Sequence, residues 1–411
     1  MSDLNDLRID VERLLRSLGE MGNIGGRPGG AGRTRLALDD GDRAGRDLFA
    51  AWLRDAKLDV VVDPVGNICG VRPGRNGCAK PVMMGSHLDT VRDAGPYDGV
   101  YGVLAGLEVI RTLNDHAVET ETPVAVTAFT NEEGARFQPT MMGSMYVSGD
   151  LDLERIYRTT DDDGVSVGEE LGRIGYVGEG KIEASSYLEL HVEQGPVLDR
   201  RKIQAGVVQG IQGIAWWRGR FSGEANHAGT TPLEYRRDAL LAAAELCCEL
   251  RTFAEEMGNG ALTTMGRLRV SPDVVNVIPS EAAFTLDFRQ YDEDLFERGK
   301  HAVEDMVRRI ADKHGLSFDL ERKTDTPPLR FAPSMVALVE RTVRELGLSN
   351  IPMPSGAGHD AKYMSRVCPT AMIFVPSIGG RSHCPEERTR PEDLAGGANV
   401  LLRCALELAT R

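Results

Sequence analysis

The sequence predicts an α/β protein of two domains, the larger built on a mostly parallel sheet and interrupted by a smaller α+β insert. Three observations lead there. The chain has 411 residues, more than one ordinary core requires. Short apolar runs such as Val124–Phe129 alternate with segments whose apolar residues recur at helical spacing. That alternation changes character near Gly206–Gly213 and resumes after Thr326-Pro327-Pro328.

Taken in order, Leu7, Val11, Leu14, Leu15 and Leu18 share one helical face. The Gly/Arg-rich stretch Gly22–Arg33 follows. Its glycines could cradle a phosphate, but no Gly-Lys-Ser/Thr follows and no strand precedes it, so a surface loop is expected. A helix over Arg43–Leu53 leads to strands at Leu58–Val62 and Asn67–Val71. Val82-Met83-Met84 is a short buried strand ending at Gly85-Ser86-His87, and Leu104, Leu107, Ile110 and Leu113 mark a helix after Asp98. Val124–Phe129 runs into Asn131-Glu132-Glu133, and Tyr187–Val192 into Glu193-Gln194-Gly195-Pro196.

Within the insert, residues 209–326, strands are expected at 214–222, 262–270, 282–289 and 316–322, with helices at 238–254 and 293–314. This β-α-β-β-α-β order suits a small sandwich of one antiparallel sheet and two helices. The outer domain comprises 1–208 and 327–411, and closes with a helix over 334–346, a strand at Thr370–Val375 and a helix from Pro391 to about Ala409. Glycine and proline in the connections near 206–213 and 325–330 predict hinged closure of the small domain.

Composition narrows the function classes. With 41% hydrophobic and 27% charged residues the chain is globular, and its net charge of −14 argues against nucleic acid or anionic membranes as partners. No apolar stretch approaches membrane-spanning length, and charges throughout Met1–Glu20 predict no secretory leader. Seven cysteines, none in a Cys-x-x-Cys pair, argue against a disulfide framework and a thiolate zinc site. The cytoplasm is the expected compartment.

Of eight histidines, His87, His191 and His383 lie at or just beyond predicted buried strands, with carboxylates or glycines close by. In an open α/β sheet, ligands gather at the carboxyl ends of strands. Asp89, two residues after His87, is placed to accept its second ring N–H, and Asp98 opens a Gly-rich turn as a candidate bridging carboxylate. Glu132 and Glu133 are adjacent, so their side chains diverge and one can reach a metal while the other serves as a base. Each feature alone has a bland reading: a strand-end histidine is commonly structural and a Glu-Glu pair commonly a solvated patch. Their coincidence at strand ends favours a metal site with nitrogen and oxygen donors, suited to Zn, Mn, Co or Ni. His116, His301 and His314 lie among charges on or beside helices and read as surface residues, and Cys384 is a weaker ligand candidate.

The segments Gly85-Ser86-His87-Leu88-Asp89-Thr90, Asp98-Gly99, Thr130-Asn131-Glu132-Glu133-Gly134 and Ser382-His383 resemble the metal motifs of the M20 family of co-catalytic metallohydrolases. Leu188–Pro196, Ala225–Pro232 and Ser355-Gly356-Ala357-Gly358-His359-Asp360 resemble its hydantoinase/carbamoylase branch. That branch includes N-carbamoyl-L-amino acid hydrolases, allantoate and ureidoglycolate amidohydrolases and β-ureidopropionases. The resemblance implies that His87, Asp98 and His191 hold one divalent metal, and Asp98, Glu133 and His383 a second. It implies Glu132 as general base, Asp89 as the residue orienting His87, and Arg289 as the grip on a substrate carboxylate. Gln194, Asn276, Gly356 and Gly358 become substrate contacts, and His227 an oxyanion donor supplied across a homodimer formed by the inserted lid and dimerisation domain.

The implied reaction is hydrolysis of a small carboxylated ureido or amide compound, with N-carbamoyl-L-amino acids the leading substrates. Allantoate, ureidoglycolate and N-carbamoyl-β-alanine are alternatives, a dipeptidase or aminopeptidase activity a further one, and a metal-dependent binding protein without turnover the most remote. Two positions depart from the family pattern. Leu233 follows Thr-Thr-Pro where methionine is common, and Gln290-Tyr291 follows Arg289 where histidine or aspartate usually stands.

Overall fold

The computed structural model describes residues 6–26 and 30–410. Residues 27–29, in the middle of the predicted Gly22–Arg33 loop, lie outside them, as do the first five residues of the predicted leaderless N-terminus. The described chain forms two compact units. One ends at Gln209 and resumes at Phe331; the other is Gly210–Arg330.

The first unit is organised by a sheet whose strands lie in the order Asp59–Val62, Ile68–Arg72, Val124–Phe129, Val82–His87, Ser186–Val192, Thr370–Val375 and Ala205–Ile211. The four central strands, from Val124–Phe129 to Thr370–Val375, run parallel. The flanking pairs are antiparallel. All four central strands are buried along their whole length, which is why they read as unbroken apolar runs. The helix Val100–Asp115 is buried nearly all round against this sheet, while Pro391–Thr410 packs beside it. Parallel central strands end on one edge: His87 pairs in register with Phe129, and His191 with Phe374.

The second unit holds a four-stranded antiparallel sheet in the order Ser317–Thr326, Gly213–Ser222, Glu281–Gln290, Leu262–Ser271. Its main elements run strand, helix, strand, strand, helix, strand, the helices being Ala239–Met257 and Glu293–His314. Alternation along Glu281–Gln290 turns Ala282, Phe284, Leu286 and Phe288 onto Leu246, Phe296, Val303 and Ile310 of those helices. The opposite face carries Trp216, Asp287 and Arg289.

Three parts differ from the sequence expectation. The segment near 206–213 is a sheet strand, Ala205–Ile211, rather than a simple connection. Helices Met142–Ser148, Leu153–Arg158 and Val167–Ile174 fill a stretch assigned no element, and Asn350–Ser355 adds an unanticipated strand.

Candidate metal centre

The strand-end residues converge. His87, Asp98 and His191 each offer a ligand atom within 4.8 Å of the others, and Asp98, Glu133 and His383 form a second such group. Asp98 belongs to both and divides its carboxylate between them. Its Oδ1 lies 3.7 Å from His87 Nε2 and 3.2 Å from His191 Nε2. Its Oδ2 lies 3.1 Å from His383 Nε2, while Glu133 Oε2 stands 3.4 Å from the same nitrogen.

Backbone carbonyls set the imidazole tautomers. His87 Nδ1 lies 2.9 Å from the Asp89 carbonyl oxygen and His191 Nδ1 lies 2.8 Å from that of Val192. Each Nδ1 therefore carries a proton, and each Nε2 faces Asp98. The Gly99 N–H donates to His191 Nε2 at 3.1 Å, consistent with that assignment. Gly99 itself has φ +66, and a Cβ there would stand 2.3 Å from His87 Nε2. Only glycine lets this turn pass under the imidazole.

The Glu132–Glu133 pair is aimed by two backbone kinks. Asn131 and Gly134 have φ of 55 and 63, and the buried Asn131 amide donates to the carbonyls of Phe137 and Pro139. The Glu132 and Glu133 N–H groups then donate to Asp89 Oδ1 and Oδ2, both at 3.2 Å. The Asp89 carboxylate stays 3.8 Å from His87 Nδ1, so its closest partners are these two N–H groups. Glu132 is buried, with Oε2 3.6 Å from His87 Nε2.

Charge is strongly unbalanced here. Burial opposes ionisation of Asp98, yet its contacts with His191, His383 and His87 hold its carboxyl well below the usual range. Burial and the nearby carboxylates Asp360 and Glu133 push Glu132 well up, against the pull of His87. Burial and the Asp98 charge raise Glu133 to about 7. The hydrogen bond to Asp98 raises His383 to about 9, against burial. Glu133 Oε1 is buried without a hydrogen-bond partner. Clustered carboxylates, imidazoles whose Nε2 atoms face inward and an orphaned carboxylate oxygen are the donor set a divalent cation requires.

Gln194 also reaches this cluster: its Nε2 donates to Asp98 Oδ2 at 2.8 Å and lies 3.3 Å from His383 Nε2. Gly356 and Gly358 lie in the turn after Asn350–Ser355, where a Cβ on Gly358 would meet Met141 Cε at 2.9 Å. The other three predicted residues belong to the second unit. His227 is exposed in a short bridge opposite Val277, and the Asn276 carbonyl accepts the Ala228 N–H at 2.9 Å, so these two loops meet. Arg289 Nη2 donates to Asp287 Oδ2 at 2.8 Å.

A family model described as Peptidase family M20/M25/M40 matches residues 83–407. An N-carbamoyl-L-amino-acid amidohydrolase of Rhizobium meliloti is 40% identical over 406 residues, covering 98% of this chain and 97% of its own. The chain belongs to the M20 family, in its hydantoinase/carbamoylase branch. The crystal structure of an amidase of the hydantoinase/carbamoylase family from Burkholderia multivorans superposes with a TM-score of 0.96 at 43% identity, covering 98% of this chain and 99% of that one. An allantoate amidohydrolase of Escherichia coli is 32% identical over 394 residues, covering 95% and 96%.

Three side chains beside the M20 centre were assigned no role from the sequence. Glu387 is buried and accepts the N–H groups of Tyr97 at 2.7 Å and Asp98 at 3.3 Å. The Ser382 hydroxyl lies 2.8 Å from Asp98 Oδ2 and 2.9 Å from Glu387 Oε1. His359 meets His191 at a 60° tilt, 4.6 Å between ring centroids, and burial holds it well below the usual imidazole range. The adjacent Glu386-Glu387, shortly after His383, was the available signal for the first.

Proposed function

We propose that the chain hydrolyses N-carbamoyl-L-amino acids, consuming water and releasing the free amino acid, ammonia and carbon dioxide. The division of the Asp98 carboxylate between two donor groups, with Glu132 beside one of them, carries this reading. His87, Asp98 and His191 would hold one divalent ion, and Asp98, Glu133 and His383 a second, with Zn, Mn, Co and Ni all suited to the donors. Bound there, the ions would supply Lewis acidity for the scissile carbonyl and for the attacking water.

Glu132 takes the proton of that water and returns it to the departing nitrogen. Its burial, which raises its affinity for a proton, suits that exchange. Asp89 holds the Glu132 backbone through one carboxylate oxygen and so fixes where the base points. Arg289 grips the substrate carboxylate with its planar fork, while Gln194, Asn276, Gly356 and Gly358 orient the rest of the substrate. His227 donates to the developing oxyanion from the partner of a homodimer. The homodimer is supported by the second unit, whose strand Leu262–Ser271 lies at a sheet edge and which exposes Leu241, Leu262, Leu268 and Val275. Among the described residues no helix is long and apolar enough to cross a membrane, and the cytoplasm is the proposed compartment.

Allantoate is the second reading, favoured by the Escherichia coli relative, and ureidoglycolate and N-carbamoyl-β-alanine belong to the same test. The chelator-stripped protein is loaded with each metal in turn and ammonia release is measured from carbamoyl-L-amino acids, their D-enantiomers and these compounds, with dipeptides followed by amino-acid release. Turnover only on allantoate would move the substrate and keep the mechanism.

A further inference from the structure

On the second unit, the sheet face turned away from the helices carries more cations than its own carboxylates pair. One row across the strands holds Arg267, Thr285, Arg218 and Glu321, and the next holds Arg269, Ala283, Arg220 and Asp319. The carboxylates of this face are each taken. Asp319 and Glu281 meet Arg220 at 2.5 and 3.6 Å, Glu321 meets Lys323 at 2.5 Å, and Asp287 meets Arg289 at 2.8 Å. Arg218, Arg267 and Arg269 are exposed and form no ion pair among the described residues. Three unpaired arginines side by side run against a chain whose net charge is −14. The Cα atoms of Arg218 and Arg267 stand two strand spacings apart, about 10 Å, so both guanidinia can converge above Thr285.

The surface between them is hollowed. A cavity of about 420 Å³, within the size range of small-molecule sites, is lined by Trp216, Arg218, Thr264, Gly266, Thr285 and Lys323. The register slips at Gly266 and again at Lys323, so each is an extra residue in its strand, and bulges of this kind re-aim side chains. A Cβ on Gly266 would stand 3.6 Å from Thr285 Oγ1, and its absence leaves that hydroxyl uncovered. Trp216, two residues and about 7 Å along the strand from Arg218, is 44% exposed on the same face.

We propose that this face binds a nucleoside phosphate, its phosphate group between Arg218 and Arg267 above Thr285 and its planar base against the Trp216 indole. Forked guanidinium donors match phosphate oxygens, the Thr285 hydroxyl adds a further donor, and Arg269 adds charge from the next row. A carboxylate, with two oxygens and one charge, would engage one arginine and leave the others unbalanced; a phosphate dianion serves them together. Every base has a π-face that can stack on an indole. Pairing at the edge of Leu262–Ser271 uses backbone N–H and C=O groups and leaves this face open.

The test titrates the metal-loaded protein with adenosine 5′-monophosphate, adenosine and ribose 5-phosphate, followed by calorimetry and tryptophan fluorescence. The nucleotide binds and quenches fluorescence, while adenosine and ribose 5-phosphate each bind about tenfold more weakly or less. Its affinity falls as salt rises. Arg218→Ala and Arg267→Ala each weaken it about tenfold, the double variant removes it, and Trp216→Leu removes most of the quench. These side chains are exposed, so the variants should melt with the parent. Absence of nucleotide binding up to millimolar concentration would overturn the proposal. So would equal affinity for adenosine or ribose 5-phosphate, or binding that survives in the double variant and therefore lies elsewhere.

Discussion

Replacing Gly99 with alanine tests how tightly the first donor group is built. A Cβ at that position would stand 2.3 Å from His87 Cε1 and Nε2 and 2.5 Å from Cδ2, with no flexible chain end able to yield. The backbone there also has φ 66 and ψ −52, a conformation costing an L-residue about 1–3 kcal/mol. Either the imidazole swings away or the turn carrying Asp98 moves. Both changes break the approach of His87 Nε2 to Asp98 Oδ1, and movement of the turn also withdraws the Gly99 N–H from His191. Misplaced ligands or their supports lower metal affinity by about 10–100-fold. The strain is small beside a total stability of about 5–15 kcal/mol, so the protein should stay folded and melt a few degrees lower. Chelator competition for bound metal, run beside thermal melting of the metal-free protein, reads the two effects separately. Metal affinity within twofold of the parent would show that the Gly99 turn does not hold His87 in place.

Other outcomes follow from the same geometry. Asp89→Asn leaves one of the Glu132 and Glu133 N–H groups facing an amide NH2, and kcat/KM should fall about 10–100-fold at saturating metal, as steady-state assays would show. In the metal-free protein, His383 is raised from 6.5 to about 9, so its contribution to stability is full below pH 6.5 and lost as pH rises through 9. The melting temperature without metal should drop across that window, and saturating metal should remove the drop, because ligation favours the deprotonated imidazole.

The candidate metal donors were legible because burial on both faces makes the central strands unbroken apolar runs, so His87, Glu133 and His191 stand out where those runs end. Other features left weaker traces. Spacing places Asp89 near His87, but it cannot tell a carbonyl from a carboxylate, and the carbonyl makes the short contact. Glu387 supports Asp98 from 289 residues away, a distance over which no local pattern speaks. Two prolines hide Asn350–Ser355, since proline removes a ladder donor and argues against a strand. Helix Val167–Ile174 did carry a signal, the reciprocal cap of Ser166 and Glu169, which shows in sequence as Ser-x-x-Glu. The antiparallel edge strands Asp59–Val62 and Ile68–Arg72 fit a short turn between them, whereas the parallel centre needs helical crossovers.

The most direct test of a metal-assisted hydrolase with Glu132 as its base is ammonia release from N-carbamoyl-L-amino acids by stripped and metal-restored protein, beside Glu132→Gln. No release is expected without metal, and strong release with it. The variant should lose about 10²–10⁴-fold at unchanged metal content. Release from the stripped protein, or a variant as active as the parent, would contradict metal-assisted hydrolysis with Glu132 as the base.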